Sequence, residues 1–169
     1  LPATIRQLDE SFLLVVVGEF NAGKSAFINA LLGQKILQEG VTPTTAQIHV
    51  LKHGETGATS IDEQGLCVVS APVDLLRDVH IVDTPGTNAI IRAHEQLTTE
   101  FVPRADLVLF VTSADRPFTE TERALLDSIR NWGKKIVIVI NKADIFETAG
   151  ELDQVIEFVR DAARRHLGV

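Results

Sequence analysis

The residues Gly18-Glu19-Phe20-Asn21-Ala22-Gly23-Lys24-Ser25 combine two glycines, a lysine and a hydroxyl at a spacing that suits a bound phosphate chain. Gly18 and Gly23 let the backbone curl until successive N–H groups face inward and form an anion nest. A helix beginning near Lys24 would aim its positive dipole end at the same point. Lys24 adds a mobile cation for the β- and γ-phosphates, and the Ser25 hydroxyl can hold Mg²⁺. Asn21, Ala22, Gly23, Lys24, Ser25 and Ala26 are therefore the expected phosphate-contacting residues. A glycine turn with an incidental lysine is the plainer reading of this stretch alone.

Two further clusters bear on it. Asp83-Thr84-Pro85-Gly86 follows the apolar run Val79-His80-Ile81-Val82. An aspartate at the carboxyl end of a strand sits where ligands bind in α/β sheets and can hold a Mg²⁺-bound water. Gly86 would offer a backbone N–H to the γ-phosphate with no Cβ in the way. Asn141-Lys142-Ala143-Asp144 follows Lys135–Ile140. The Asp144 carboxylate can accept N1–H and the exocyclic amine of guanine, a donor pair that adenine lacks. Asn141 would brace the loop and touch the base, with the Lys142 stem along the purine face. Taken singly, the first tetrapeptide could be only a turn and the second only a helix N-cap.

These groups need a scaffold that brings strand ends together. Phe12–Val17 is an unbroken apolar run, and Lys24–Leu32 reads as a helix closed by Gly33. Residues 34–46 read as a loop because of Gly40 and Pro43, with Thr42, Thr44 and Thr45 crowded at one end. Such a loop is where a nucleotide switch threonine is expected, although each of the three also fits a turn or a strand start. Gln47–Lys52 and Leu66–Ser70 read as strands around a glycine-rich hairpin or excursion, in which His53, Glu55, Asp62 and Glu63 are surface residues. Leu107–Thr112 is a further buried strand. Thr119 and Glu122 form a capping-box pattern for a helix to about Trp132, with Gly133 as its stop. Glu151–Leu167 reads as an amphipathic helix. In residues 1–11, Leu1, Ile5 and Leu8 fall at helical spacing, which fits a short packed helix, a linker or the stub of a longer helix.

The 169 residues are 45% hydrophobic and carry a net charge of -7, enough for one domain with a substantial core. No sustained basic run is present, so no nucleic-acid partner is expected. The single cysteine, Cys67, excludes a disulfide framework and a thiolate zinc cluster, and reads as a small apolar core residue. The longest apolar runs are too short to span a bilayer.

In this order the motifs resemble the translation-factor-related GTPase class. More narrowly, Gly18–Leu32, Val41–Ala46, Asp83–Asn88 and Thr112–Glu122 resemble the dynamin-like GTPases of the bacterial and mitofusin-like branch. The resemblance implies an α/β Ras-like P-loop domain over 12–169: a mostly parallel sheet with helices on both faces, lacking the family's last strand. It implies GTP and GDP as ligands, Mg²⁺ held by Ser25, Thr45 and Asp83, and GTP hydrolysis with Lys24, Thr45 and Asn21 as catalytic groups. Thr45 is the switch threonine by motif position, with Thr44 second. It also implies a GTP-dependent homodimer through the nucleotide face, membrane contact through regions outside this chain, and a cytoplasmic location peripheral to a membrane. Thr87 follows Gly86, so the glutamine that positions water in many small GTPases is absent. Asn21 resembles the asparagine of potassium-dependent GTPases, which points to K⁺ or Na⁺ as the charge-neutralising element. By the same residue the chain also resembles stand-alone GTPases of ribosome assembly or RNA modification.

Overall fold

The computed structural model describes residues 11–38, 47–55, 57–62, 65–85 and 97–168. Thr45, Gly86 and the N-terminal segment lie outside them, as do Thr42 and Thr44. Within them the strands are β1 (Phe12–Val17), β2 (His49–His53), β3 (Thr59–Ile61), β4 (Cys67–Ala71), β5 (Val79–Asp83), β6 (Leu107–Ser113) and β7 (Ile136–Asn141). The helices are α1 (Lys24–Leu32), α2 (Glu120–Arg130) and α3 (Ala149–Leu167).

The strands form one sheet in the order β3-β4-β2-β5-β1-β6-β7. β5, β1, β6 and β7 run parallel, while β2 pairs antiparallel with β5 and parallel with β4. The parallel part requires crossovers, so its strands are covered on both sides and read as continuous apolar runs. β1 is the clearest case: Leu13–Val17 are all buried. Each such side chain contributes about 1.5–3 kcal/mol on burial, which makes β1 the strand whose placement is most strongly determined.

Alternation along β1 divides its side chains between two cores. Leu13, Val15 and Val17 pack with Leu125, Leu126, Ile129 and Val159 under α2 and α3. Leu14 and Val16 pack with Ile28 and Leu32 under α1. Helices thus cover both faces, as the expected fold requires. β7 is the outermost described strand on its side and is only half-buried, with Val137 47% exposed.

Several boundaries differ from the sequence reading. β2 begins at His49, two residues later than expected, because its ladder with β5 starts opposite Asp83. The glycine-rich excursion does fold back as a hairpin: β3 pairs antiparallel with β4. Asp62 is not merely a surface residue there; its Oδ1 accepts the Leu66 N–H at 2.9 Å and closes the turn. α3 starts at Ala149, earlier than expected, because Thr148 and Glu151 form a second capping box. Cys67 is buried, in keeping with its apolar reading.

Candidate functional site

The carboxyl ends of β1, β5 and β7 deliver three loops to one edge of the sheet. The first holds the two glycines, and both need to be glycine. Gly18 has φ +148, and a Cβ there would lie 2.1 Å from the Val111 carbonyl oxygen. Gly23 has φ +82, and a Cβ there would lie 2.4 Å from Asn141 Nδ2. Between them the chain makes a short 3₁₀ turn over Phe20–Ala22, and Gly23 then caps α1. Ala22 is buried, while Asn21 and Ala26 are exposed at the mouth of the loop.

Lys24 is 5% exposed and folds back over its own loop. Its Nζ donates to the carbonyl oxygens of Gly18 at 3.0 Å and Glu19 at 2.9 Å. Burial pushes the ammonium below its ordinary pKa, and the carboxylates of Asp83, Glu122 and Glu19 oppose that shift. A cation held on two carbonyls in a buried place is well disposed to take an anionic partner.

Asp83 ends β5 at 1% exposure. Its Oδ2 accepts the Ser25 hydroxyl at 2.9 Å, which brings the two expected Mg²⁺ residues together. Its Oδ1 is buried and has no hydrogen-bond partner among the described residues. Burial raises the Asp83 carboxyl, and Lys24, Ser25, His49 and the Thr84 backbone counter it. An orphaned carboxylate oxygen beside a serine hydroxyl fits a metal-bound water, so the donor set suits Mg²⁺. A cavity of about 230 Å³ reaches this point, lined in part by Ser25, His49 and Asp83. Thr84 secures the strand end, its hydroxyl donating to the Val16 carbonyl at 2.9 Å.

The third loop joins the first directly. Asn141 Nδ2 donates to the Ala22 carbonyl at 2.9 Å, the bracing contact expected of it. Lys142 follows at φ +59, a left-handed backbone uncommon outside glycine, and is exposed. Asp144, also exposed, lies in the 3₁₀ turn Ala143–Ile145. The loops expected to take phosphate and base are thus tied through one side-chain amide.

Three neighbours of the site were not singled out by motif. Asn29 on α1 is buried, and its Oδ1 accepts the N–H groups of Ile36 at 2.9 Å and Leu37 at 2.8 Å. It anchors the root of the threonine-bearing loop. His49 stands opposite Asp83 in the β2–β5 ladder, and burial holds its imidazole below the usual pKa. Glu19 reaches out of the phosphate loop to Thr119, whose hydroxyl donates to its Oε1 at 2.6 Å. All three depend on pairings between separate segments. The only local signal was the capping box at Thr119 and Glu122.

Comparison with known proteins agrees with this arrangement. The family described as 50S ribosome-binding GTPase matches residues 13–142. A chloroplastic protein of Arabidopsis thaliana named as a probable transmembrane FZO-like GTPase is 49% identical over 170 residues, covering 96% of this chain and 18% of its own length. A bacterial dynamin-like protein of Nostoc punctiforme is 29% identical over 173 residues, covering 79% of this chain and 25% of its own. This chain therefore spans a quarter or less of those two relatives. A solved bacterial dynamin, from an oligomerised pair described as sensing and tethering membranes at long range, superposes with a TM-score of 0.78. It is 20% identical and the match covers 97% of this chain and 32% of that one, a likeness of fold. The chain belongs to the family described as 50S ribosome-binding GTPase, and its fold is that of a GTPase domain shared with a bacterial dynamin.

Proposed function

We propose that this domain binds GTP with Mg²⁺ and hydrolyses it in the service of a dynamin-like membrane-remodelling protein, with turnover raised by nucleotide-dependent dimerisation. The observation that carries the reading is the convergence of three loops. Lys24, the Ser25–Asp83 pair and the Asn141–Asp144 turn meet at one sheet edge, with Asn141 bonded to the phosphate loop.

In this reading the nest between Gly18 and Gly23 cradles the β-phosphate. Lys24 exchanges its two carbonyl acceptors for phosphate oxygens, a gain because those oxygens carry charge. Ser25 and Asp83 are the described residues that would hold Mg²⁺, with Thr45 joining them; Mg²⁺ neutralises charge on the phosphates. Gly86 offers its N–H to the γ-phosphate. Asp144 selects guanine, Lys142 lies along the base, and Asn141 positions both loops. Asn21, exposed at the mouth, would hold K⁺ or Na⁺ beside the phosphates and assist charge neutralisation in place of an arginine. The dynamin-like name of a relative, and the oligomerised pair and membrane tethering described for the solved structure, support the membrane setting and self-association; that the dimer forms through the nucleotide face is the part of the proposal that the family resemblance carries.

The test is GTP turnover per molecule measured across protein concentration, in buffers whose monovalent cation is K⁺, Na⁺ or a bulky organic ion. Turnover that climbs with concentration, and only with K⁺ or Na⁺, is expected. Turnover independent of concentration would remove the dimer from the mechanism. Equal rates in all three buffers would remove Asn21 from its cation role.

A further inference from the structure

The start of α2 is joined to the phosphate loop by side chains that the proposed mechanism does not use. The join begins with a strained residue. Phe118 has φ +58, a left-handed backbone that a bulky side chain rarely adopts, and it is fully buried. Its ring packs against Phe110 with centroids 5.8 Å apart, and its N–H donates to the Thr112 hydroxyl oxygen at 3.2 Å. The packing holds the strain in place, and the turn leaves Thr119 facing the phosphate loop.

Thr119 then has two tasks. Its Oγ1 accepts the Glu122 N–H at 3.2 Å as the α2 cap, and its hydroxyl proton goes to Glu19 Oε1 at 2.6 Å. Glu122 is 1% exposed, an unusual degree of burial for a capping carboxylate. Its Oε2 accepts the Thr112 hydroxyl at 2.8 Å and the Thr119 N–H at 3.2 Å. That pair of donors fixes the Glu122 carboxylate, and the Glu122 N–H in turn holds the Thr119 hydroxyl oxygen. Glu19 completes the chain, because its own carbonyl is one of the two acceptors holding Lys24.

The contrast with α3 shows that a cap does not need this arrangement. Thr148 and Glu151 form the same reciprocal pair, but both are exposed. Capping stabilises a helix without burial. The burial of Glu122 and the reach of Thr119 across 100 positions therefore call for another reason.

We propose that Thr119, backed by Glu122, is a positioning residue for nucleotide binding. It pins Glu19, and through the Glu19 backbone it fixes the phosphate loop and the resting place of Lys24. The inference rests on the reading of Gly18–Ser25 as the nucleotide cradle.

The experiment is a double-mutant cycle on the affinity for a fluorescent GDP analogue and on the KM for GTP. Thr119→Val removes both tasks of the hydroxyl, and Glu19→Ala removes only the partner and leaves the α2 cap intact. Each should weaken binding by about fivefold, and the double variant should be no worse than about fivefold, since the two act through one bond. Thr119→Ser keeps the hydroxyl and should bind as wild type does. Thr148→Val supplies the capping control: its melting temperature should fall, by less than that of Thr119→Val, which also loses the bond to Glu19, with affinity unchanged. Multiplying effects in the double variant, a normal KM for Glu19→Ala, or an equal loss of affinity in Thr148→Val would each overturn the proposal. Wild-type protein that bound no guanine nucleotide would overturn the functional reading as well. That outcome is distinct from normal binding with no coupling.

Discussion

The phosphate end and the base end of the site occupy the same edge of one sheet, yet they are built differently. At the phosphate end, β1 is flanked on both sides by other strands, and Lys24 and Asp83 are 5% and 1% exposed. Their polar atoms are already paired, apart from the Asp83 Oδ1. At the base end, β7 is the outermost described strand, and Lys142 and Asp144 are exposed. The first arrangement puts the cost of ordering charged groups into folding, so that in the proposed function phosphate would meet a preorganised site. The second leaves selectivity to groups that contribute little to stability. Asn141 is where the two meet.

If that division holds, a change at the base end should alter recognition without altering stability. Asp144→Asn replaces a two-oxygen acceptor with one acceptor and one donor. GTP binding is expected to fall by about a hundredfold or more. A nucleotide with a carbonyl at purine C2 should be accepted better than before, and the melting temperature should stay within a degree or so of wild type. Competition between GTP and XTP in a displacement assay, beside a thermal melt, reads both. A fall in melting temperature of several degrees would show the base end to be structural after all.

Gly23→Ala strikes the junction. The added methyl would meet Asn141 Nδ2 at 2.4 Å, at a backbone φ of +82. We expect about 1–2 kcal/mol of lost stability from the left-handed backbone, with about a tenfold loss of nucleotide affinity from the displaced brace. Calorimetric unfolding and nucleotide titration measure the two. Loss of affinity without loss of stability would place the junction wholly on the binding side.

The smallest expected effect lies away from both ends, and sharpens the comparison by isolating folding from binding. His80 on β5 has a buried Nδ1 with no hydrogen-bond partner among the described residues. Burial, with Lys52 adding to it, lowers its pKa below the ordinary 6.5. The folded chain then binds fewer protons than the unfolded chain between that lowered value and 6.5. Stability should fall as pH drops below about 6.5, and His80→Gln should flatten that slope without changing nucleotide affinity at neutral pH. Denaturant midpoints at several pH values check the sign. A steeper decline in the variant would contradict it.

Much of the site could be read without coordinates because its parts are local. A nest of backbone N–H groups needs only glycines at set intervals, a helix start and a preceding strand. Gly18–Ser25 carried all three in consecutive residues. Asp83 and Asn141 could be placed because each ends an apolar run. Boundaries were less legible where pairing decides them. His49 starts β2 because it faces Asp83, a partner 34 positions away in the chain, and α3 begins early because Thr148 finds Glu151. Asp62 looked like surface because a turn cap and a solvated carboxylate have the same local composition.

The amino-acid sequence alone determined the proposed ligand chemistry, in which a glycine-flanked loop takes phosphate, one strand-end carboxylate takes metal and another takes guanine, each inferred from residue type at fixed spacing. Only the tertiary structure decided how those groups are held. The buried Glu122, the left-handed Phe118 and the Thr119 hydroxyl on Glu19 join segments far apart in the chain. Spacing carries no information about such contacts, because chain separation does not fix which side chains share a buried space.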